Sequence, residues 1–364
     1  MIKLGVIVTG GTIAATADAT TGDMYAPRCG SELIALTHSI GRERGYEVEV
    51  EVELWRNDEG YMPLVDSCQV EPHQWLRLSV QIDDMLTDCL GVVVLHGTDT
   101  LAYTATALSL LNPYRHGSVV VTGAQIPAVA VGSDAPANLK LALDAAAGRF
   151  GNMAGDTVVA FGDLIMRGVR ATKHSTVASR GFRSWACPEI DVRATAIATE
   201  STLTAWQQLR AQSSAGKPLS SFAGRIANLR VTPGMDISYV RDVLERTPPD
   251  GLLLQLFGVG TAPSVNAWAS LVDALASQDI LVVGVTTCPE GAIEWRRYQA
   301  SAALAQSALI DGSDMTFECA YVKLMGVAAE KMPFEAAVER FTTPISHDLT
   351  GTALPSRNVD QDNY

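Results

Sequence analysis

The chain has no Cys-x-x-Cys pair, no long apolar run, no excess of basic residues and no Gly-x-x-x-x-Gly-Lys loop to cradle a phosphate. Its 6 cysteines, Cys29, Cys68, Cys89, Cys187, Cys288 and Cys319, are scattered through 364 residues. That scatter disfavours a disulfide framework or a zinc site and reads as free thiols in a reducing compartment. No uninterrupted apolar stretch approaches the roughly 18 residues that a membrane span needs, so no membrane partner is expected. With 27 Lys and Arg against 40 Asp and Glu, the formal charge is −13. Nucleic acid is excluded as a partner on that balance, because phosphate binding needs clustered Lys and Arg. The opening Met1-Ile2-Lys3-Leu4 passes straight into a strand and lacks the charged, apolar, then small layout of a signal peptide, so a cytoplasmic location is expected.

What is present is apolar and compact. Hydrophobic residues make up 47%, charged residues 18%, and the mean hydropathy is +0.14. The charged share lies below the usual quarter or so, which points to subunit contacts that bury extra surface. A chain of 364 residues is long for one core and suggests two domains. Strands are expected near 3–9, 48–54, 92–96, 118–122 and 157–161, and helices over 31–44, 72–88, 100–111 and 136–148. Gly45 is placed to stop the first helix. Such alternation predicts an α/β fold whose larger N-terminal domain has a mainly parallel sheet flanked by helices.

The pattern fades after about residue 195, where Ser213, Ser214, Gly216, Pro218, Ser220 and Ser221 form a linker-like stretch. A second alternating block follows, with strands at 226–231, 251–256 and 280–285 and helices at 236–247, 264–277, 299–309, 318–329 and 334–341. The expected organisation is therefore 1–194 as the N-terminal catalytic α/β domain, 195–224 as linker and 225–364 as a smaller C-terminal α/β domain. Beyond about 342 the chain reads as surface tail.

One threonine-rich turn occurs twice, each time after a β-branched apolar run: Thr9-Gly10-Gly11-Thr12-Ile13 and His96-Gly97-Thr98-Asp99-Thr100. Runs of this kind read as buried parallel strands, and a hydroxyl just beyond the strand's carboxyl end sits where open α/β sheets bind ligands. The first turn does not fit a dinucleotide fingerprint, since Ile13-Ala14-Ala15 stand where glycine is needed. Standing alone, Thr12 also reads as a cap of the next segment, and Asp99 as a cap of the helix that starts near Thr100. Together they offer two hydroxyls and a carboxylate. His96 reads as a buried, hydrogen-bonded core histidine.

A threonine hydroxyl attacks a carbonyl only when a partner removes its proton. Lys173, in Arg170-Ala171-Thr172-Lys173-His174-Ser175, is one candidate; a desolvated lysine beside another cation sheds its proton more readily. Tyr25 is another, in Thr20-Thr21-Gly22-Asp23-Met24-Tyr25-Ala26-Pro27, a segment rich in turn formers that suits a lid. Surface placement remains the ordinary alternative for both.

Thr-Gly-Gly-Thr-Ile at 9–13 and His-Gly-Thr-Asp-Thr-Leu-Ala-Tyr-Thr-Ala at 96–105 resemble the two signatures of the bacterial-type L-asparaginase family. Further similarities lie at Val121-Thr122-Gly123-Ala124-Gln125-Ile126-Pro127, Ser133-Asp134, Thr172-Lys173, Pro233-Gly234, Gly258-Val259-Gly260 and Asp314-Met315-Thr316 with Glu318. The resemblance spans roughly residues 3–330 and falls on the cytoplasmic, type I-like branch. It implies amide hydrolysis through a threonyl ester: Thr12 as nucleophile, Tyr25 assisting, and Thr98, Asp99 and Lys173 as the second catalytic group. Gly11, Asp66, Ser67, Cys68, Gly97, Asp99 and Ala124 are the implied substrate contacts. Among them, Ser67 would take the α-carboxylate, Asp99 the α-amino group, and the Ala124 carbonyl the leaving nitrogen.

No metal or organic cofactor is implied. The implied partners are a small amino-acid amide substrate and further copies of the chain, in a homodimer or homotetramer. The sequence departs from the family at Cys68-Gln69-Val70, at Thr261, which stands where asparagine is usual, and at Gln299-Ala300-Ser301. Asparagine is the first expected substrate. Glutamine, a D-isomer, another short ω-amide, an amidotransferase component and an amino-acid-sensing non-enzyme remain open.

Overall fold

The structure, a computed structural model, describes residues 1–17, 24–25, 30–52, 55–57, 60–62, 64–194, 196–213, 216–295 and 297–349, with backbone alone at 17, 24–25, 55–57, 60–62, 196–199 and 209–213. The chain divides into two compact units. The first is Met1–Gln208 with Pro218–Ser221, and the second Leu209–Lys217 with Phe222–Tyr364.

The first unit is built on a seven-stranded sheet. Its strands in chain order are β1 (Ile2–Val8), β2 (Tyr46–Val52), β3 (Gly91–Leu95), β4 (Ser118–Thr122), β5 (Thr157–Phe161), β6 (Leu164–Arg167) and β7 (Ile190–Asp191). Their spatial order is β7-β6-β5-β4-β3-β1-β2. Strands β2, β1, β3, β4 and β5 run parallel, in registers such as Val8↔Val52, Val8↔Leu95 and Leu95↔Thr122. Strands β6 and β7 add on antiparallel.

Strand periodicity explains the layering. Leu4, Val6, Val8, Val93, Leu95 and Val120 pack on one face with Leu33 and Ile40 of α1 (Ser31–Arg44) and Leu139 and Ala142 of α4 (Ala135–Ala146). The alternate residues Ile7, Val92, Val94, Val119 and Val121 pack on the other face with Leu78 and Ile82 of α2 (Pro72–Met85) and Leu101, Ala105 and Leu108 of α3 (Leu101–Leu111). Both faces are covered, which is why these strands read as unbroken apolar runs. Gly45 ends α1 in the left-handed conformation at φ 78°, donating its N–H back to Arg42. The order β2-β1-β3-β4-β5 reverses direction between β1 and β3. In open α/β sheets such a reversal, beyond the carboxyl ends of the two strands, is where ligands bind.

The second unit carries a four-stranded parallel sheet: β8 (Ile226–Arg230), β9 (Gly251–Leu256), β10 (Leu281–Thr286) and β11 (Ile310–Asp311). Helices α6 (Ile237–Arg246) and α7 (Val265–Ala276) cover one face through Val240, Leu244, Trp268, Leu271 and Leu275. The mixed α/β architecture agrees with the expected fold class.

Two expectations need correction. The stretch 195–224, expected as linker, begins with a long helix, α5 (Ala196–Ser213). It is anchored by Trp206, whose ring is buried beneath the Arg167 guanidinium and whose Nε1–H donates to the Pro188 carbonyl at 2.8 Å. Among its described side chains Leu203 packs against the same core cluster, while the neighbouring Thr204, Gln207 and Gln208 are exposed, so its apolar period is weak. The tail expected at the surface beyond 342 is instead packed away over Ile345–Leu349. The fully buried Asp348 carboxylate pairs with Lys323 of α8 (Phe317–Ala329) and accepts the N–H groups of Ile345 at 2.6 Å and Ser346 at 2.9 Å. Burial works against the charged carboxylate, but Lys323 and these donors hold its pKa below the usual value. Pro344, Gly351, Pro355 and the closing polar residues suggested a surface tail; satisfied partners permit burial of Asp348.

Candidate active site

Five chain segments of the first unit meet around the end of β1 and β3. The first is the turn after β1. Thr9 donates both N–H and Oγ1–H to the Leu95 carbonyl at 3.0 Å, clamping the two strand ends together. Gly11 N–H then donates to the Val65 carbonyl at 2.8 Å. Gly10 and Gly11 hold φ of 122° and 75°, the region that favours glycine. A Cβ on Gly11 would lie 2.1 Å from the α-carbon of Gly97, so the backbones of the two threonine turns touch. Thr12 follows directly and opens a single 3-10 turn, Thr12–Ala14.

The second segment carries His96, Gly97, Thr98 and Asp99 from β3 into α3. Thr98 is 5% exposed, whereas Asp99 is exposed. The third is the turn Asp66–Gln69. Ser67 is buried against Gly97, where a glycine Cβ would stand 2.6 Å from Ser67 Oγ. Its carbonyl accepts Thr100 Oγ1–H at 2.7 Å, and the Asp66 carboxylate accepts the Cys68 N–H at 3.1 Å. Cys68 itself is exposed. Partial desolvation of its sulfur and the neighbouring Asp66 push the thiol pKa up, so it stays a neutral thiol.

The fourth segment follows β4. Gly123 lies under the second turn, its missing Cβ 2.3 Å from the His96 carbonyl oxygen and 3.5 Å from Thr98 Cγ2. The Gly123 carbonyl accepts Asn138 Nδ2–H at 3.0 Å, and the Asp134 carboxylate accepts the N–H groups of Gln125 at 3.0 Å and Ile126 at 2.9 Å. These bonds fix the peptides on both sides of the buried Ala124. In a trans peptide the carbonyl opposes the following N–H. The Ala124 carbonyl therefore points away from Asp134.

The fifth is Lys173, at the end of a short strand Ala171–Lys173 paired antiparallel with Phe182–Ser184. Its Nζ donates to Thr98 Oγ1 at 2.8 Å and to Asp99 Oδ1 at 2.6 Å. The sequence did not bring Lys173 to Thr98 by proximity, since 75 residues separate them.

Of the residues singled out from sequence, Gly11, Ser67, Gly97, Thr98, Asp99 and Lys173 form one connected set, with Thr12 adjoining Gly11. Asp66 and Cys68 flank it, and Ala124 lies on its β4 side. Tyr25 pairs with Thr16 through the backbone, and its side chain lies outside the described residues. His96 is a buried, hydrogen-bonded core residue, as its surroundings in sequence suggested. Sequence reasoning assigned no bracing to Thr100, Asp134 or Asn138; Asp134 entered it only through the Ser133-Asp134 similarity. In the second unit, Glu294 pairs with exposed Arg297 at 3.2 Å and Thr261 Oγ1 donates to the Phe257 carbonyl at 3.3 Å. Among the described residues no group of His, Cys, Asp and Glu could hold a metal ion.

Residues 3–204 match the family model for the asparaginase N-terminal domain, and residues 225–341 that for the glutaminase/asparaginase C-terminal domain. The chain belongs to the asparaginase family. It is 31% identical over 296 residues to L-asparaginase 1 of Escherichia coli, covering 80% of this chain and 83% of that protein. Against the L-asparaginase of Thermococcus kodakarensis identity is 29% over 353 residues, or 96% of this chain and all (100%) of the other. The solved structure of the thermostable Thermococcus kodakarensis L-asparaginase superposes with a TM-score of 0.79 over 96% of this chain and 100% of that one. L-asparaginase I from Vibrio cholerae gives a TM-score of 0.74 at 25% identity, covering 96% of this chain and 99% of the other. In this asparaginase-family chain both signature turns therefore lie at the reversal of strand order, packed glycine against glycine.

Proposed function

We propose that the chain hydrolyses the side-chain amide of L-asparagine to L-aspartate and ammonia through a threonyl ester on Thr12. The observation that carries this reading is Lys173 Nζ resting on both Thr98 Oγ1 and Asp99 Oδ1, beside the Gly11–Gly97 contact that delivers Thr12. Thr12 Oγ1 attacks the amide carbon, and negative charge builds on the carbonyl oxygen, where aimed N–H and O–H donors stabilise it. Collapse breaks the C–N bond. The Thr12 proton leaves with the nitrogen as ammonia, guided by the Ala124 carbonyl. Water then adds to the ester, its proton returns to Thr12 Oγ1 as the C–O bond breaks, and aspartate departs.

Because Lys173 donates to Thr98 Oγ1, the Thr98 proton is directed away from the lysine, and this pair passes protons in both halves of the reaction. Tyr25 assists Thr12. Ser67 takes the α-carboxylate and Asp99 the α-amino group, with Asp66, Cys68, Gly11 and Gly97 shaping the rest of the contact. The enzyme works in the cytoplasm as a homodimer or homotetramer, which fractionation and light scattering measure. No helix among the described residues is long and apolar enough to cross a membrane.

The test is ammonia release from asparagine, glutamine and a panel of short amides by wild type and Thr12→Ala. Turnover of asparagine that disappears in a folded Thr12→Ala protein is expected. An unaffected rate removes Thr12 as nucleophile; wild-type protein that binds but releases no ammonia from any member makes the chain a sensor.

A further inference from the structure

His96 has no part in the chemistry above, yet every polar atom of its ring is committed. Nδ1 lies 2.8 Å from the Gly97 carbonyl oxygen and Nε2 lies 3.0 Å from Thr104 Oγ1. Trp75 Nε1–H donates to the same Thr104 oxygen at 3.0 Å. A carbonyl only accepts, so the ring proton is on Nδ1; Nε2 then accepts from the Thr104 hydroxyl, whose oxygen accepts from Trp75. All three side chains are buried. Burial pushes the imidazole down to about 4, which keeps it neutral and this polarity fixed near neutral pH.

The bond that matters is the one to Gly97. The Gly97–Thr98 peptide is trans, since the described chain has no cis peptide. With its carbonyl turned to the imidazole, the Thr98 N–H faces the opposite way. Among the described residues that N–H meets no backbone acceptor. Glycine lets such a plane rotate at small cost, so a lock is required. A rotated plane would present a carbonyl oxygen in place of the donor.

We propose that His96 is a positioning residue which, held by Thr104 and Trp75, locks the Gly97–Thr98 peptide so that the Thr98 N–H points at the oxygen of the scissile amide. This rests on the hydrolytic reading above. It assigns a task to a side chain that touches neither substrate nor water.

The experiment compares His96→Asn with His96→Gln. In asparagine the amide nitrogen falls where Nδ1 stands and keeps a donor to Gly97. In glutamine the terminal amide reaches toward Thr104 and loses that donor. His96→Gln is expected to lower kcat for asparagine by about a hundredfold with KM changed less than about twofold, because misaiming one donor acts on the transition state. His96→Asn restores most of kcat. Equal losses in the two variants, or an effect confined to KM, overturn the proposal. Crystal structures of both give a readout independent of turnover: the Gly97 plane is kept in the asparagine variant and rotated in the glutamine one. An unrotated plane in both also overturns it. Should wild type hydrolyse no amide, the hydrolytic reading fails while the plane measurement still reports on His96. If His96→Gln does not fold, Thr104→Val removes the ring's anchor, and the same split between kcat and KM is expected.

Discussion

Acidification with and without His96 measures how deeply this ring is committed to the folded state. In the unfolded chain the imidazole takes a proton near its ordinary value of 6.5, whereas in the fold burial holds it down to about 4. Between those values unfolding takes up a proton, so stability is fully present above about 6.5 and is lost as pH falls toward about 4. At about 1.4 kcal/mol per pH unit, that interval amounts to about 3 kcal/mol from one side chain. Carboxylates titrate over the same range, so the wild-type curve alone does not isolate the effect. His96→Asn carries no titrating ring and leaves the other groups in place. Urea unfolding of both proteins, followed by tryptophan fluorescence from about pH 7 to about pH 4, gives the difference directly. Wild type should lose about 3 kcal/mol more than the variant across that range. Parallel curves would show that the ring protonates freely in the fold and would refute the buried neutral assignment.

Gly11→Ala places a Cβ 2.1 Å from the Gly97 α-carbon at a φ of 75°, so the two turns must separate; a fall in kcat of about a hundredfold or more is expected, and wild-type turnover would contradict the contact. Lys323→Met leaves the Asp348 carboxylate buried and unpaired, which should destabilise the second unit by about 3–5 kcal/mol in urea unfolding. A loss below about 1 kcal/mol would mean that the tail is not held by this pair. Cys68→Ser exchanges a weak thiol donor for a hydroxyl beside Asp66, and should lower KM for asparagine; an unchanged or raised KM counts against Cys68 facing the substrate's amino end.

The parallel strands were legible because both faces of the sheet are covered and Val92-Val93-Val94 and Val119-Val120-Val121 leave little else to be. The two threonine turns were legible for a related reason: glycine after such a run permits little but a tight reversal. What the sequence concealed depends on partners distant along the chain. Asp134 braces the segment around Ala124 through backbone N–H groups, which carry no side-chain signature. Lys173 reaches Thr98 from a short strand with no apolar period of its own. The tail beyond 342 read as surface because of Pro344, Gly351, Pro355 and its closing polar residues, and burial of Asp348 is made tolerable by Lys323 together with the Ile345 and Ser346 N–H groups. Among its described side chains helix α5 meets the core through Trp206 and Leu203, too few apolar positions for a period to emerge.

The contact between Gly11 and Gly97 has a bearing on redesign. Spacing between the two hydroxyl-bearing loops is dictated by main chain meeting main chain, so no choice of amino acid there can tune it gradually. A library aimed at new amide selectivity gains nothing from diversifying those two codons. Positions 66, 68 and 69, exposed on either side of Ser67, are the ones to randomise under the proposed function, because changes there leave the Gly11–Gly97 contact in place.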